Sequence, residues 1–303
     1  MILAIVGPTA VGKSAAAIEL AVRIGGADAA EIVGADAMQL YRGMDVGTAK
    51  VTAEEQRGIP HHQIDVLDIS QEASVAAYQK HSRADIDAIV ASGKLPILVG
   101  GSGLYVSAAL DKIDFPGTDP HVRERLERRA EEIGADALHA ELEAIDPESA
   151  RVIDPRNVRR VVRALEVNEV TGRSFQPVFP RHTSHYDGTV VVGLEMGMGE
   201  LENRIALRTD LMFESGLLEE TRALRERGLD DAPTARTATG YREALAVLDG
   251  VMTVDEARES VTFATRRLVK KQLTWFKRDP RIEWVTPDLA PARLDEIVSR
   301  MNP

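Results

Sequence analysis

The 303-residue chain has no cysteine. That removes disulfides, zinc ribbons and thiol catalysis together, and it fits a reducing cytoplasm. No apolar run approaches the roughly 20 residues of a membrane span. The start, Met1-Ile2-Leu3, passes straight into an apolar strand without the basic region of a signal peptide. Positive charge is also short: 37 Lys and Arg stand against 48 Asp and Glu, a net charge of −11. A surface of that sign repels phosphate backbones, so any nucleic-acid contact must come from a local basic patch. What is left, 44% hydrophobic and 28% charged, is ordinary for a globular chain of one large domain or two smaller ones.

The informative stretch comes first. Ile2-Leu3-Ala4-Ile5-Val6 reads as a buried parallel strand. Gly7-Pro8-Thr9-Ala10-Val11-Gly12-Lys13-Ser14 follows, a G-x-x-x-x-G-K-S pattern, and then a helical run from Ala15 to Ile24. From average residue usage the bare pattern arises by chance in roughly one chain of this length in a hundred. Strand, glycine loop and helix in that order are the setting of a P-loop. Its backbone N–H groups and the helix N-terminus form an anion cradle. Lys13 adds a point charge, and Ser14 offers a hydroxyl to Mg²⁺. An ordinary glycine turn does not account for Lys13-Ser14.

Further strands are expected at 31–35, 61–66, 95–99, 190–194 and 282–285, with a short helix near Ala53-Glu54-Glu55-Gln56 and longer ones at 74–92, 200–226 (interrupted near Gly216) and 255–277. Charged helices at 121–132 and 136–144, and another at 157–171, set residues 115–189 apart. The expected fold is α/β: a P-loop NTPase-like parallel sheet core, 1–114 with 190–303, carrying a mainly helical insertion domain. Phe175 to Gly188 reads as a loop within it. Three strands end in suggestive loops: the P-loop, Asp36 and its followers, and Gly100-Gly101-Ser102-Gly103. In an open parallel sheet, ligands bind at the carboxyl ends of strands, so the three can converge.

Asp36 could bind a metal, act as a general base, or merely cap a helix. Ser102 could meet a substrate or sit in a turn of glycines at positive φ. His61-His62 are neighbours on a strand and point to opposite faces, which argues against one shared ion. Arg159, Arg160 and Arg163 have no acid between them, in a chain that is otherwise acidic. Arg266 to Arg278 is basic with Trp275 and Phe276. Both stretches suit a polyanion, since phosphates need such charges and bases stack on aromatics. The blander alternatives are a solvated helix face and two core anchors.

Together these residues resemble a known family. Its marks are the P-loop in this form, Ala35-Asp36-Ala37-Met38-Gln39-Leu40-Tyr41-Arg42-Gly43-Met44-Asp45-Val46-Gly47-Thr48-Ala49-Lys50, His61-His62, Gly100 to Tyr105, Arg163-Ala164-Leu165-Glu166, Gly240-Tyr241 and Lys271-Gln272-Leu273-Thr274-Trp275-Phe276. The chain is similar to bacterial tRNA dimethylallyltransferases from residue 1 to about 285. The resemblance implies transfer of a dimethylallyl group from dimethylallyl diphosphate to N6 of the adenosine 3′ of the anticodon, in tRNAs reading codons that begin with U. It implies Mg²⁺ and a cytoplasmic enzyme. By position, Gly7 and Thr9 to Ser14 would hold the diphosphate, Ser14 the metal, and Asp36 would be the general base, with Ser102 the second catalytic residue. Residues 36–39 (Asp36, Ala37, Met38, Gln39), Ser102, Arg123 and 159–163 (Arg159, Arg160, Arg163) would contact the tRNA anticodon stem-loop. Ser102 stands where the family usually has Thr and keeps the hydroxyl. The family often has an Arg three positions before the Gly-Tyr pair, over the diphosphate. Here that position is Thr237, which leaves Arg236, Arg204 and Arg208 as candidates for the charge. The zinc finger of eukaryotic relatives is excluded by the lack of cysteine. A small-molecule or nucleotide kinase and a nucleotide-switched RNA-binding protein are the competing readings of an ATP-binding type of loop.

Overall fold

A computed structural model describes residues 1–175 and 182–301 of the chain. It divides into two compact units, Met1–Lys112 with His182–Pro303, and Ile113–Arg181.

The first unit runs β1 (Ile2–Val6), α1 (Lys13–Arg23), β2 (Ala30–Ala35), β3 (His61–His62), α2 (Val75–Ala91), β4 (Leu95–Gly100) and α3 (Gly103–Leu110). The chain then enters the second unit, which holds α4 (Pro120–Ile133), α5 (Ala135–Ile145), α6 (Pro147–Val152) and α7 (Val158–Thr171). On return come β5 (Thr189–Leu194), α8 (Met198–Glu214), α9 (Leu217–Glu226), α10 (Tyr241–Leu248), α11 (Val254–Phe276), β6 (Ile282–Val285) and α12 (Ala290–Met301).

The six strands among the described residues are all parallel, in the order β3-β2-β4-β1-β5-β6. The near-continuous apolar sequences of β1, β2, β4 and β5 follow from this, because helices cover both faces of such a sheet. The main core joins Leu3 and Ile5 of β1 and Ile97 of β4 to Ile18 and Leu20 of α1, Ile205 of α8, Val269 of α11 and Leu294 of α12. A second core, around Tyr41, Met212, Phe213, Leu217, Tyr241 and Val261, ties α8 to α11 and to the loop after β2. The helical unit has its own core of Leu126, Leu138, Leu142, Val161, Val162 and Leu165. Asp119, Asp146 and Asn157 cap its helices by accepting from backbone N–H groups.

Three expectations change. Residues 53–58 form turns, not a short helix: Thr52 Oγ1 accepts from Glu55 N–H (3.2 Å), and positive φ at Arg57 and Gly58 ends the turn. The strand expected at 61–66 stops at His62, because Gln63 and Asp65 take positive φ and leave extended geometry. Residues 182–189, read with the insertion, belong to the sheet unit. There Lys112 N–H donates to Thr183 O (2.8 Å) and His185 N–H to Leu110 O (2.6 Å). The expected loop at 175–188 lies partly outside the described residues. No helix among the described residues is long and apolar enough to cross a membrane.

Candidate active site

Because β4 lies between β1 and β2, the loops after these three strands are neighbours at one edge of the sheet. The P-loop leaves β1 at Gly7, whose φ is +141° and whose missing Cβ would lie 2.5 Å from Leu194 O on β5. Only glycine fits there. Gly12 opens α1 in a left-handed conformation with no side-chain cap, so the first N–H groups of the helix are free for an anion. Thr9, Ala10, Gly12, Lys13 and Ser14 line a cavity of about 230 Å³. Val11 instead points into the core and shapes the loop from behind.

Lys13 Nζ donates to Pro8 O (2.6 Å). Burial lowers its pKa to about 8; Asp36 opposes the shift and Arg208, on α8, adds to it. Burial also lowers Arg208, again against Asp36. Two cations and one carboxylate thus face the same cavity, which is also lined by Gln39 and Thr48.

Asp36 does not cap a helix. Its Oδ1 accepts from Met38 N–H (2.9 Å), a local turn that fixes the carboxylate toward the cavity. Ala37 N–H approaches Ser102 Oγ at 3.5 Å, and Ser102 N–H donates to Ala35 O (3.3 Å), so Ser102 links the β2 and β4 loops beside the cavity. None of the glycines at 100, 101 and 103 has positive φ. They are there for close approach, as Gly101 shows: a Cβ would lie 2.5 Å from Gln272 Nε2.

Gln272, on α11 and buried, is the cross-brace of the site. Its Oε1 accepts from Thr9 N–H (2.9 Å) and its Nε2 donates to Gly101 O (3.0 Å). The long motif after Asp36 is braced from two sides. Lys50 Nζ reaches Tyr41 O (2.9 Å), Asp45 Oδ1 (2.6 Å) and Asp65 Oδ1 (2.6 Å). Glu220 of α9 collects the N–H groups of Asp45, Val46 and Gly47 at 2.9–3.3 Å, and the Tyr241 hydroxyl at 2.6 Å. Much of that motif therefore holds the loop bearing Asp36 and Gln39.

A second cavity, of about 120 Å³, shares Thr9, Asp36, Thr48 and Arg208 with the first. Its remaining lining is uncharged: Met38, Met212, Ala238, Val261 and Leu268, with Gly47 and the hydroxyl-bearing Thr209, Thr239 and Thr265.

Of the three candidates for the charge missing at Thr237, only Arg208 lines the cavity. Arg236 is exposed and donates to Asp230 O (3.0 Å), and Arg204 pairs with Glu200 (3.1 Å). His61 and His62 go separate ways, to Ile59 O (2.8 Å) and Glu31 (2.6 Å).

In the helical unit the expected arginine cluster splits. Arg123 and Arg163 both bond fully buried Glu166, at 3.0 and 2.8 Å. Burial pushes the Glu166 carboxyl up, but the two arginines outweigh it and hold it below the usual range. Arg159 and Arg160 are exposed and have no ion pair among the described residues. On α11, Arg267, Lys270 and Lys271 are likewise exposed.

A parallel α/β sheet with a phosphate cradle, a carboxylate and two cations at one cavity defines a P-loop-type enzyme. The sequence model of the IPP transferase family matches residues 39–279, and the chain belongs to that family. It is 53% identical to a tRNA dimethylallyltransferase of Streptomyces coelicolor, over 95% of this chain and 91% of the relative. With that of Mycobacterium tuberculosis the identity is 51%, over 95% and 93%. Among solved structures, a tRNA isopentenylpyrophosphate transferase of Bacillus halodurans matches with a TM-score of 0.70 and 39% identity, over 100% of this chain and 99% of that one. A eukaryotic dimethylallyltransferase acting on tRNA matches with a TM-score of 0.80 and 26% identity, over 99% and 77%.

Proposed function

We propose that the chain is a tRNA prenyltransferase that moves a dimethylallyl group from dimethylallyl diphosphate to N6 of the adenosine 3′-adjacent to the anticodon, in tRNAs reading codons that begin with U. One observation carries the reading: a phosphate cavity borders, through shared Thr9, Asp36, Thr48 and Arg208, a smaller one whose remaining lining is uncharged and includes Met38, Met212, Ala238, Val261 and Leu268. A charged head and a short apolar tail joined at one carbon is the shape of an allylic diphosphate. The names of the similar proteins support the same reaction.

The cradle N–H groups, Lys13 and Arg208 bind the diphosphate. Charge on the leaving oxygens grows as the allylic C–O bond stretches, so these donors act most strongly in the transition state. The adenine amine is a weak nucleophile, and cation character at the allylic carbon offsets this. Asp36 takes the N6 proton as the C–N bond forms, and Ser102 adds a hydroxyl beside it. The target base leaves its stack to reach the cavity. The exposed arginines Arg159 and Arg160 and the basic face of α11 hold the anticodon stem-loop through its phosphates.

Among the described residues no group of three or more His, Asp or Glu could hold a metal. The donor set fits Mg²⁺ all the same, because Mg²⁺ keeps several waters and needs only one or two protein oxygens beside substrate phosphates. Ser14, which lines the cavity, would supply that oxygen. When bound, the ion neutralises charge on the diphosphate. The enzyme is proposed to work in the cytoplasm, and it needs no zinc.

The test is incubation of the purified protein with Mg²⁺, dimethylallyl diphosphate and unmodified tRNA, followed by mass analysis of the nucleosides. A dimethylallyl gain on adenosine, abolished by Asp36→Asn while tRNA binding persists, is expected. No gain, with ATP consumed in the absence of tRNA, would replace the reading with a kinase.

A further inference from the structure

The second cavity is small. A cavity of about 150 Å³ lined by Leu, Ile and Phe side chains holds one benzene, six carbons. At about 120 Å³ the cavity beside the cradle is the size of a single five-carbon isoprene unit. Of its polar lining, Thr9, Asp36, Thr48 and Arg208 are shared with the phosphate cavity, whereas the uncharged Thr209, Thr239 and Thr265 are not; the reacting carbon belongs at the shared, charged end and the tail at the uncharged end, against Met38, Met212, Ala238, Val261 and Leu268.

Those apolar residues differ in how firmly they are held. Met38 is half-buried and Leu268 is exposed. Ala238 is buried but small. Met212 and Val261 are bulky, buried, and part of the second core with Leu217, Tyr241 and Ala257. Close packing behind them means that a longer tail cannot displace them without disturbing that core.

From this we infer that Met212 and Val261 set the length of the transferred group at one isoprene unit, and so exclude geranyl diphosphate. The inference rests on the allylic diphosphate reading above. The chemistry is the same for either donor. The allylic C–O bond breaks and its electron pair leaves on diphosphate; the N6 lone pair forms the C–N bond; the N6 proton passes to Asp36. Chain length alone separates the two donors, so a rejection of the longer one reports on the cavity and not on the reacting atoms.

The test measures kcat/KM for dimethylallyl and geranyl diphosphate with saturating tRNA. A single misfit methylene in a tight pocket costs roughly 10–200-fold, so wild-type protein should prefer the shorter donor by more than about a hundredfold. Met212→Ala enlarges the cavity, and the preference should fall at least about tenfold, through a gain in geranyl transfer as well as some loss of dimethylallyl transfer. Val261→Ala should do the same to a smaller extent, and it carries the test if Met212→Ala does not fold. Ala238→Leu fills the cavity and should raise KM for dimethylallyl diphosphate while leaving the Kd for tRNA unchanged. Wild-type protein that uses both donors equally would overturn the inference, as would folded Met212→Ala and Val261→Ala proteins with the wild-type preference. Failure of wild-type protein to transfer either group would instead refute the reading beneath it.

Discussion

Replacing Gln272 with leucine should slow the enzyme without weakening its hold on tRNA. The amide joins two backbone groups that belong to different loops, Thr9 N–H in the cradle and Gly101 O after β4. Leucine has similar bulk and fills the same space, but it leaves both groups without that partner. Gly101 is buried, so its carbonyl bears most of the penalty of about 1–3 kcal/mol for an unsatisfied buried group. Thr9 is half-buried and water can reach it, so its loss is nearer about 1 kcal/mol. Together these amount to about 2–4 kcal/mol, part of it lost from folding and part from cradle geometry. With about 1.4 kcal/mol per tenfold in rate, kcat/KM for dimethylallyl diphosphate should fall roughly 10- to 100-fold. Gln272→Glu separates bracing from simple packing. It keeps the shape and the acceptor for Thr9, loses the donor to Gly101, and sets a negative charge beside the diphosphate. A packing role would be rescued by glutamate; a bracing role would not. Steady-state kinetics with each substrate varied, beside thermal melting, reads both effects. Wild-type kinetics in Gln272→Leu, or a change confined to KM for tRNA, would refute the reasoning.

Other consequences can be checked separately. Lys13 is protonated only below about pH 8 in the free protein, and a bound anion raises its pKa, so binding takes up a proton. Diphosphate affinity should therefore be steady below about pH 8 and fall by up to about tenfold per unit above it; calorimetry with inorganic diphosphate, without metal, would show a flat profile if this is wrong. Arg208→Leu should lower kcat/KM for dimethylallyl diphosphate roughly 100-fold, whereas Arg236→Leu should not change it, and equal losses would return the choice of arginine to the Thr237 neighbourhood. Reversing Arg159 and Arg160 to glutamate should reduce the salt dependence of tRNA binding by about 1–2 in logarithmic slope. Arg163→Ala should act on folding instead, costing about 2 kcal/mol because Arg123 still pairs with Glu166; melting and filter-binding across salt distinguish the two.

The cradle was legible in the sequence because it is local: strand, loop and helix lie within residues 2–23 and every group needed is in one run. Asp36 and the Gly100–Gly103 loop were legible because each follows a recognisable strand. What stayed hidden depends on distance along the chain. Gln272 meets Thr9 across 263 positions, and Arg208 is one of many helical arginines until α8 packs over the cavity. Glu220 likewise sits on a charged helix and shows its use only where three N–H groups point at it. The arginine cluster misled for a related reason. Glu166 stands one turn beyond Arg163, but its burial, which decides that it captures Arg163 and Arg123, is a property of the packed helices. The short helix and the long third strand failed on backbone angles at Arg57, Gln63 and Asp65; Arg and Gln carry no turn signal, while the signal that Asp65 does carry went unread.

The order of strands in the sheet has a consequence for synthesis. β1 is made first, yet it sits inside the sheet, between β4 and β5. Its two flanks stay open until residues 95–100 and 189–194 have emerged from the ribosome. The cradle waits longer still, since Thr9 is held by Gln272, 263 positions further along the chain. At about 5–20 residues per second, the strand keeps an open flank for roughly 10–40 seconds of translation and the phosphate loop stays unbraced for roughly 13–53 seconds. The nascent chain thus carries its first apolar strand with an open flank until β5 emerges, and the cradle is braced only when α11 arrives.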